Sequence, residues 1–225
     1  MAEPDGSELD GPRYGPHASA APRQLVVLCH GVGADGHDLI ELAPAWSRAL
    51  PDAAFVAPSA PAFYDLDPGG VGRQWFSVAD RAPAKLEAGI RQAAVLLDSF
   101  IDAELGRLGL PATAYALMGF SQGAMTVLFT GLRRPAAPRA ILAFSGALIA
   151  PAALRRELSH HVPVLIVHGE ADEVVPASRS REAEQALRAV DVPVTASYVP
   201  GLGHGIDETG LTLGARFLEA VFPDR

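Results

Sequence analysis

The chain has 225 residues, 49% of them hydrophobic and 20% charged, a balance that suits one compact domain and excludes a disordered or fibrous chain. Its formal net charge of -8 argues against binding a phosphate backbone, because excess carboxylates repel polyanions, so no nucleic-acid partner is expected. Cys29 is the single cysteine, so no intrachain disulfide can form, and a reducing compartment, the cytoplasm, is the expected location.

In chain order, the first 22 residues, MAEPDGSELDGPRYGPHASAAP, are rich in Pro, Gly, Ala and acids and hold no continuous apolar stretch of secretory type. They read as a mobile N-terminal arm, with residues 23–225 as a single domain. QLVVLC (Gln24 to Cys29) is a short apolar run of strand type, followed by the glycine-rich segment His30 to Gly36. AAFVAP near Phe55 is a second such run. The Pro/Gly segment from Ala60 to Pro83, with "DPGGVGRQWF", is too long for a plain connection and is either a functional excursion or a disordered loop. From Lys85 to Leu108, apolar residues Leu86, Ile90, Ala93, Leu97, Ile101, Leu105 and Leu108 recur at three- and four-residue spacing, which predicts a helix. Strand-like runs follow at ATAYALM, ILAF, PVLIVH and VPVTASYV. Continuous apolar strands alternating with helices imply an α/β fold with a mostly parallel sheet and helices on both faces. No segment approaches the roughly 20 apolar residues of a membrane-spanning helix, so no membrane span is expected.

Gly119-Phe120-Ser121-Gln122-Gly123 fits G-x-S-x-G after a predicted strand and before a helical pattern, the setting of a nucleophile elbow. The plainer reading of Ser121 is a helix N-cap beside turn glycines. A serine hydroxyl needs a base to take its proton, and the base needs a carboxylate to orient it. His204, set between glycines in "GLGHGID", is the histidine beyond the acidic loop "HGEADE". Asp172 is the favoured acid there, with Glu170 and Glu173 as alternatives and a helix-capping role for Asp172 as the plainer account. The chain order Ser121, Asp172, His204 is that of α/β-hydrolases. Two backbone N–H donors for a tetrahedral intermediate are expected from Gln122, after the serine, and from Val32 in the His30 to Gly36 loop. That loop lacks both G-x-G-x-x-G spacing and a Walker lysine. With no H-E-x-x-H and no thiolate set, no metal site is expected. Trp75, Phe76 and Val175 are candidates for an acyl pocket, against ordinary core packing.

The segments "LCHGVGADGHDL", "RQWF", "GFSQGAM", "HGEADEVVP" and "GLGHGID" together resemble the phospholipase/carboxylesterase family of α/β-hydrolases, which includes the acyl-protein thioesterases. The resemblance runs from residue 25 to the C-terminus. It implies the α/β-hydrolase fold and hydrolysis of carboxylic esters or thioesters without a cofactor. It also implies Ser121, Asp172 and His204 as the triad and the Val32 and Gln122 amides as oxyanion hole. "GRQWF" looks like the bacterial esterase branch. The N-terminal arm matches nothing in the family, whose first strands look shortened or absent here.

The expectation is therefore a serine carboxylesterase acting on small, short-chain esters through an acyl-enzyme. A lysophospholipase or acyl thioesterase is the alternative within the enzyme class, and a non-catalytic binding protein on the same fold is the alternative outside it. The sequence leaves the oligomeric state open, a homodimer included.

Overall fold

The structure is a computed structural model and describes residues 9–18 and 21–222. Its first half contains β1 (Arg13–Tyr14), β2 (Gln24–Cys29), α1 (Gly36–Ile40), α2 (Ala43–Trp46), β3 (Ala53–Val56), β4 (Ala62–Phe63), β5 (Arg73–Gln74) and α3 (Pro83–Leu108). Next come β6 (Tyr115–Phe120), α4 (Gln122–Gly131), β7 (Ile141–Phe144), α5 (Pro151–Glu157), β8 (Val164–Gly169), α6 (Ser178–Arg188), β9 (Val194–Val199) and α7 (Glu208–Val221).

Seven strands form one sheet in the order β1-β3-β2-β6-β7-β8-β9, parallel throughout except that β1 runs antiparallel to β3. This is the α/β-hydrolase architecture expected, with helices on both faces. Because both faces are covered, successive strand residues enter two different cores. Leu25, Val27 and Cys29 pack with α3, α4 and α6, while Val26 and Leu28 pack with Trp46 of α2 and Leu218 of α7. That is why the strands read as unbroken apolar runs. Trp46 is locked by a bond from its Nε1 to the Leu211 carbonyl.

The predicted helix over 85–108 is α3. Proline supplies its first turn, and Gly109, at φ 66, ends it in the left-handed region that glycine adopts without strain. Among the described residues no helix is long and apolar enough to cross a membrane.

One expectation is corrected. Of the proposed arm, residues 1–8, 19 and 20 lie outside the described residues, but residues 9–18 are part of the sheet edge. The Pro12 and Asp10 carbonyls accept from the Ala57 and Ser59 amides, and Leu9 is buried. Arg13 donates to both oxygens of Glu104 on α3, at 3.2 and 2.6 Å. Composition misled because a two-residue edge strand has no periodicity, and its anchor Glu104 lies 91 residues away.

Glu104 is the buried member of this anchor and also accepts from Arg107. Glu104→Ala leaves two arginines able to reach water, so the expected loss is local. Hydrogen exchange should quicken at the Ala57 and Ser59 amides while the amides of β6 and β7 keep their protection.

Candidate active site

β6 ends at Phe120 and α4 begins at Gln122, leaving Ser121 alone to turn the chain. Its backbone sits at φ 53 and ψ -116, a region costly for any residue with a side chain, by about 1–3 kcal/mol. The flanking glycines make the turn possible. A Cβ on Gly119 would lie 2.3 Å from the Gly123 carbonyl carbon, and one on Gly123 would lie 1.9 Å from the Cys29 carbonyl oxygen. The helix can therefore start directly against the ends of two central strands. Ser121 does not cap α4 with its side chain.

The carboxylate and the imidazole meet across the β8–β9 pair. His204 Nδ1 donates to Asp172 Oδ2 at 2.7 Å, and Asp172 Oδ1 accepts from the amides of Val174 and Val175 at 2.9 and 2.8 Å. Burial pushes the Asp172 carboxyl up, but the bonds from His204 and the two amides outweigh it and leave it below the ordinary carboxylate value. It stays ionised. Of the alternatives, Glu170 is drawn outward by Arg181 at 2.6 Å, and Glu173 is exposed. Asp172 does not cap α6; it closes the turn that follows it. The His204 ring lies 4.8 Å from the ring of Phe120, the residue before Ser121, so serine, imidazole and carboxylate gather at one end of the sheet. The glycines beside His204 are not what lets the loops approach: a Cβ on Gly205 would meet nothing. Gly169 is the close contact, since a Cβ there would lie 2.2 Å from the Leu202 carbonyl oxygen.

The loop after β2 lies on the other side of Ser121. Among the described residues, neither the Val32 nor the Gln122 amide is engaged by another group. Both residues line the cavity that holds Ser121. The loop is pinned from three directions. His30 Nε2 accepts from the Ala60 amide at 2.9 Å, so its hydrogen is on Nδ1, which donates to the Gly31 carbonyl at 2.7 Å. Trp75 Nε1 donates to the His30 carbonyl at 2.9 Å. The Gly33 amide donates to the Arg73 carbonyl, and the Arg73 amide to Ala34, each at 2.8 Å.

The segment from Ala60 to Pro83 is thus an ordered excursion bonded to that loop, not a disordered one. β4 and β5 pair as a hairpin whose second strand lies against the loop. Gln122 clamps it to α4: its Oε1 accepts from the Trp75 amide at 2.8 Å and its Nε2 donates to the Phe76 carbonyl at 2.7 Å. This side-chain role was not legible in the sequence.

The cavity beside Ser121 has a volume of about 400 Å³, within the range of small-molecule sites. Of the three candidates for an acyl pocket, Phe76 and Val175 line this cavity and Trp75 does not. Trp75 is buried, its indole N–H spent on the His30 carbonyl. Further wall residues the sequence reading missed are Tyr64, Met125 and Ile149. Met125, four residues after Ser121 and in the first turn of α4, could have been found from helical spacing. Cys29 offers no rival nucleophile: it is fully buried, and burial pushes its thiol pKa up.

A hydroxyl on a strained turn, two open amides and an imidazole backed by an ionised carboxylate are what acyl transfer requires. Fold and site define the class: an α/β-hydrolase that acts as a carboxylic ester hydrolase. The sequence model described as Phospholipase/Carboxylesterase matches residues 17–222, and the chain belongs to that family. It is similar to esterase YpfH of Escherichia coli (strain K12), 30% identical over 210 residues that cover 89% of this chain and 84% of the relative. It is also similar to acyl-protein thioesterase 1 of Schizosaccharomyces pombe (strain 972 / ATCC 24843), 31% identical over 176 residues covering 75% of this chain and 77% of that one. Among solved structures, esterase PE8 superposes with a TM-score of 0.88 at 39% identity, covering 95% of this chain and 99% of the other.

Burial holds the His30 pKa below its ordinary value, the bond to Gly31 offsetting this only in part. The unfolded chain takes up a proton near pH 6.5 that folded His30 resists, so its contribution is complete above that pH and is lost as the pH falls. Urea unfolding from pH 8 to pH 5 should show the stability advantage of wild type over His30→Gln narrowing below about pH 6.5.

Proposed function

We propose that the chain hydrolyses short-chain carboxylic esters through an acyl-enzyme, with Ser121 as nucleophile, His204 as base, and Asp172 as its orienting carboxylate. The amides of Val32 and Gln122 form the oxyanion hole. The observation that carries this reading is the 2.7 Å bond from His204 Nδ1 to a buried, ionised Asp172, at the end of the sheet where Ser121 turns. With Nδ1 spoken for, Nε2 is the nitrogen left to take the serine proton.

Ser121 Oγ attacks the ester carbonyl carbon as its proton passes to His204 Nε2. Negative charge on the former carbonyl oxygen is met by the two amides, which need no reorganisation because hairpin and loop already hold them. The intermediate collapses as His204 returns the proton to the departing alcohol, leaving an acyl-serine. Water repeats the sequence and releases the acid. Small esters suit the cavity of about 400 Å³, with Phe76, Met125 and Ile149 giving the acyl group an apolar wall. In the same reading the described residues from 9 to 222, β1 included, make up one α/β-hydrolase domain, working in the cytoplasm, where a lone buried thiol needs no partner.

Ser121→Ala should lower kcat by about 10⁴ to 10⁶ with little change in folding, and a fluorophosphonate should label wild type alone. Persistent labelling would place the nucleophile elsewhere. Asp172→Asn should cost on the order of 10⁴ in kcat, since an amide supports the wrong tautomer, whereas Glu170→Gln and Glu173→Gln should cost far less. The substrate class is tested by hydrolysis rates over aryl esters of increasing acyl length. Rates should fall as the chain grows; activity confined to long-chain lysolipids or thioesters would replace the proposed substrate.

A further inference from the structure

The last residue but one of β8 is a histidine with no exposed surface, His168, and the mechanism above does not use it. Its Nε2 lies 2.8 Å from the Val175 carbonyl oxygen and 3.1 Å from Asp172 Oδ2. Both neighbours are acceptors, so this nitrogen carries a hydrogen in every charge state, directed at Val175. Nδ1 lies 2.7 Å from the Ser180 hydroxyl on α6, whose oxygen is also 3.0 Å from the Gly146 carbonyl oxygen.

This wiring uses the Val175 residue twice. Its amide N–H holds Asp172 Oδ1, and its carbonyl is held by His168. The carboxylate thus accepts from the Val174 and Val175 amides on Oδ1 and from His204 on Oδ2, with His168 Nε2 3.1 Å from that second oxygen. The far end of the chain of contacts reaches the nucleophile's helix, since a Cβ on Gly146 would lie 2.6 Å from that of Ala124. Asp172 is the charged group that touches His168. Across the sheet on β9, Tyr198 donates to Glu184 and is covered by Arg181, so these groups are engaged with one another.

We infer that His168 is a positioning residue for the catalytic acid, holding the 172–175 turn and Asp172 Oδ2 in register with His204. The inference rests on the triad proposed above. Without the Nε2 donor, the Val175 peptide is free to turn and the carboxylate to rotate away from His204. A misplacement of that kind slows chemistry while leaving substrate binding intact.

The test uses His168→Asn, His168→Gln and Asp172→Asn in the full chain, each shown to be folded by circular dichroism. The Gln amide reaches the place of Nε2, whereas the Asn amide ends near Nδ1. On a short-chain aryl ester, His168→Asn should lose about 10- to 100-fold in kcat with KM within about twofold of wild type. The acid limb of its kcat/KM profile should move to lower pH, because a loosened carboxylate supports the protonated base less. His168→Gln should recover most of both. Wild-type kcat and acid limb in His168→Asn, beside a crippled Asp172→Asn, would overturn the positioning role alone, as would an equal loss in His168→Gln. An active Asp172→Asn would remove the triad reading and this inference with it. If His168→Asn does not fold, Ser180→Ala, which frees the imidazole to turn about its remaining bond, is read against the same two outcomes.

Discussion

Backbone approaches backbone without side chains between them where β6 gives way to α4, and much of the molecule is arranged around that contact. Gly123 sits so close to the Cys29 and His30 carbonyls that any Cβ would overlap them. The helix therefore starts on the axis of the central strands, and Ser121 must absorb the change of direction in a left-handed backbone conformation. Such strain persists only when surroundings over-determine it. Here the Ser121 amide donates to the Phe144 carbonyl on one side and its carbonyl accepts from Met125 on the other.

The loop holding Val32 depends on the same junction. Its position is set less by its own residues than by groups bonded to it from elsewhere: Trp75, Arg73 and the Ala60 amide. Gln122 joins hairpin and helix, so one residue is proposed to supply an amide to the oxyanion while its side chain secures the wall beside it. Pre-organisation of this kind matters because an amide that must move to meet a developing charge loses part of its benefit.

On the opposite side the loops carrying Asp172 and His204 are brought together by strand pairing. β8 and β9 run in parallel register up to Gly169 and Val199, and the loops then continue in contact through the Ala171 amide and the Leu202 carbonyl. The bond between His204 and Asp172 extends this ladder. Burial of the carboxylate, unfavourable alone, is offset by amide and imidazole donors that hold it ionised.

The sequence by itself determined the architecture and the chemistry-bearing positions. Apolar runs alternating with the 85–108 periodicity imply a covered parallel sheet, and G-x-S-x-G between strand and helix, with acid and histidine on later strand ends, marks where chemistry can sit. These features are local, and local spacing is visible in a string of letters. Only the tertiary structure decided which of three neighbouring carboxylates faces His204, because that turns on Arg181 drawing Glu170 away and on two amides closing around Asp172. It also turned Trp75 from pocket wall into a staple for the His30 carbonyl, and part of a presumed free arm into a sheet edge held by Glu104. Each of these depends on partners tens of residues apart, whose meeting is set by the packing of the sheet and helices and leaves no periodic trace along the chain.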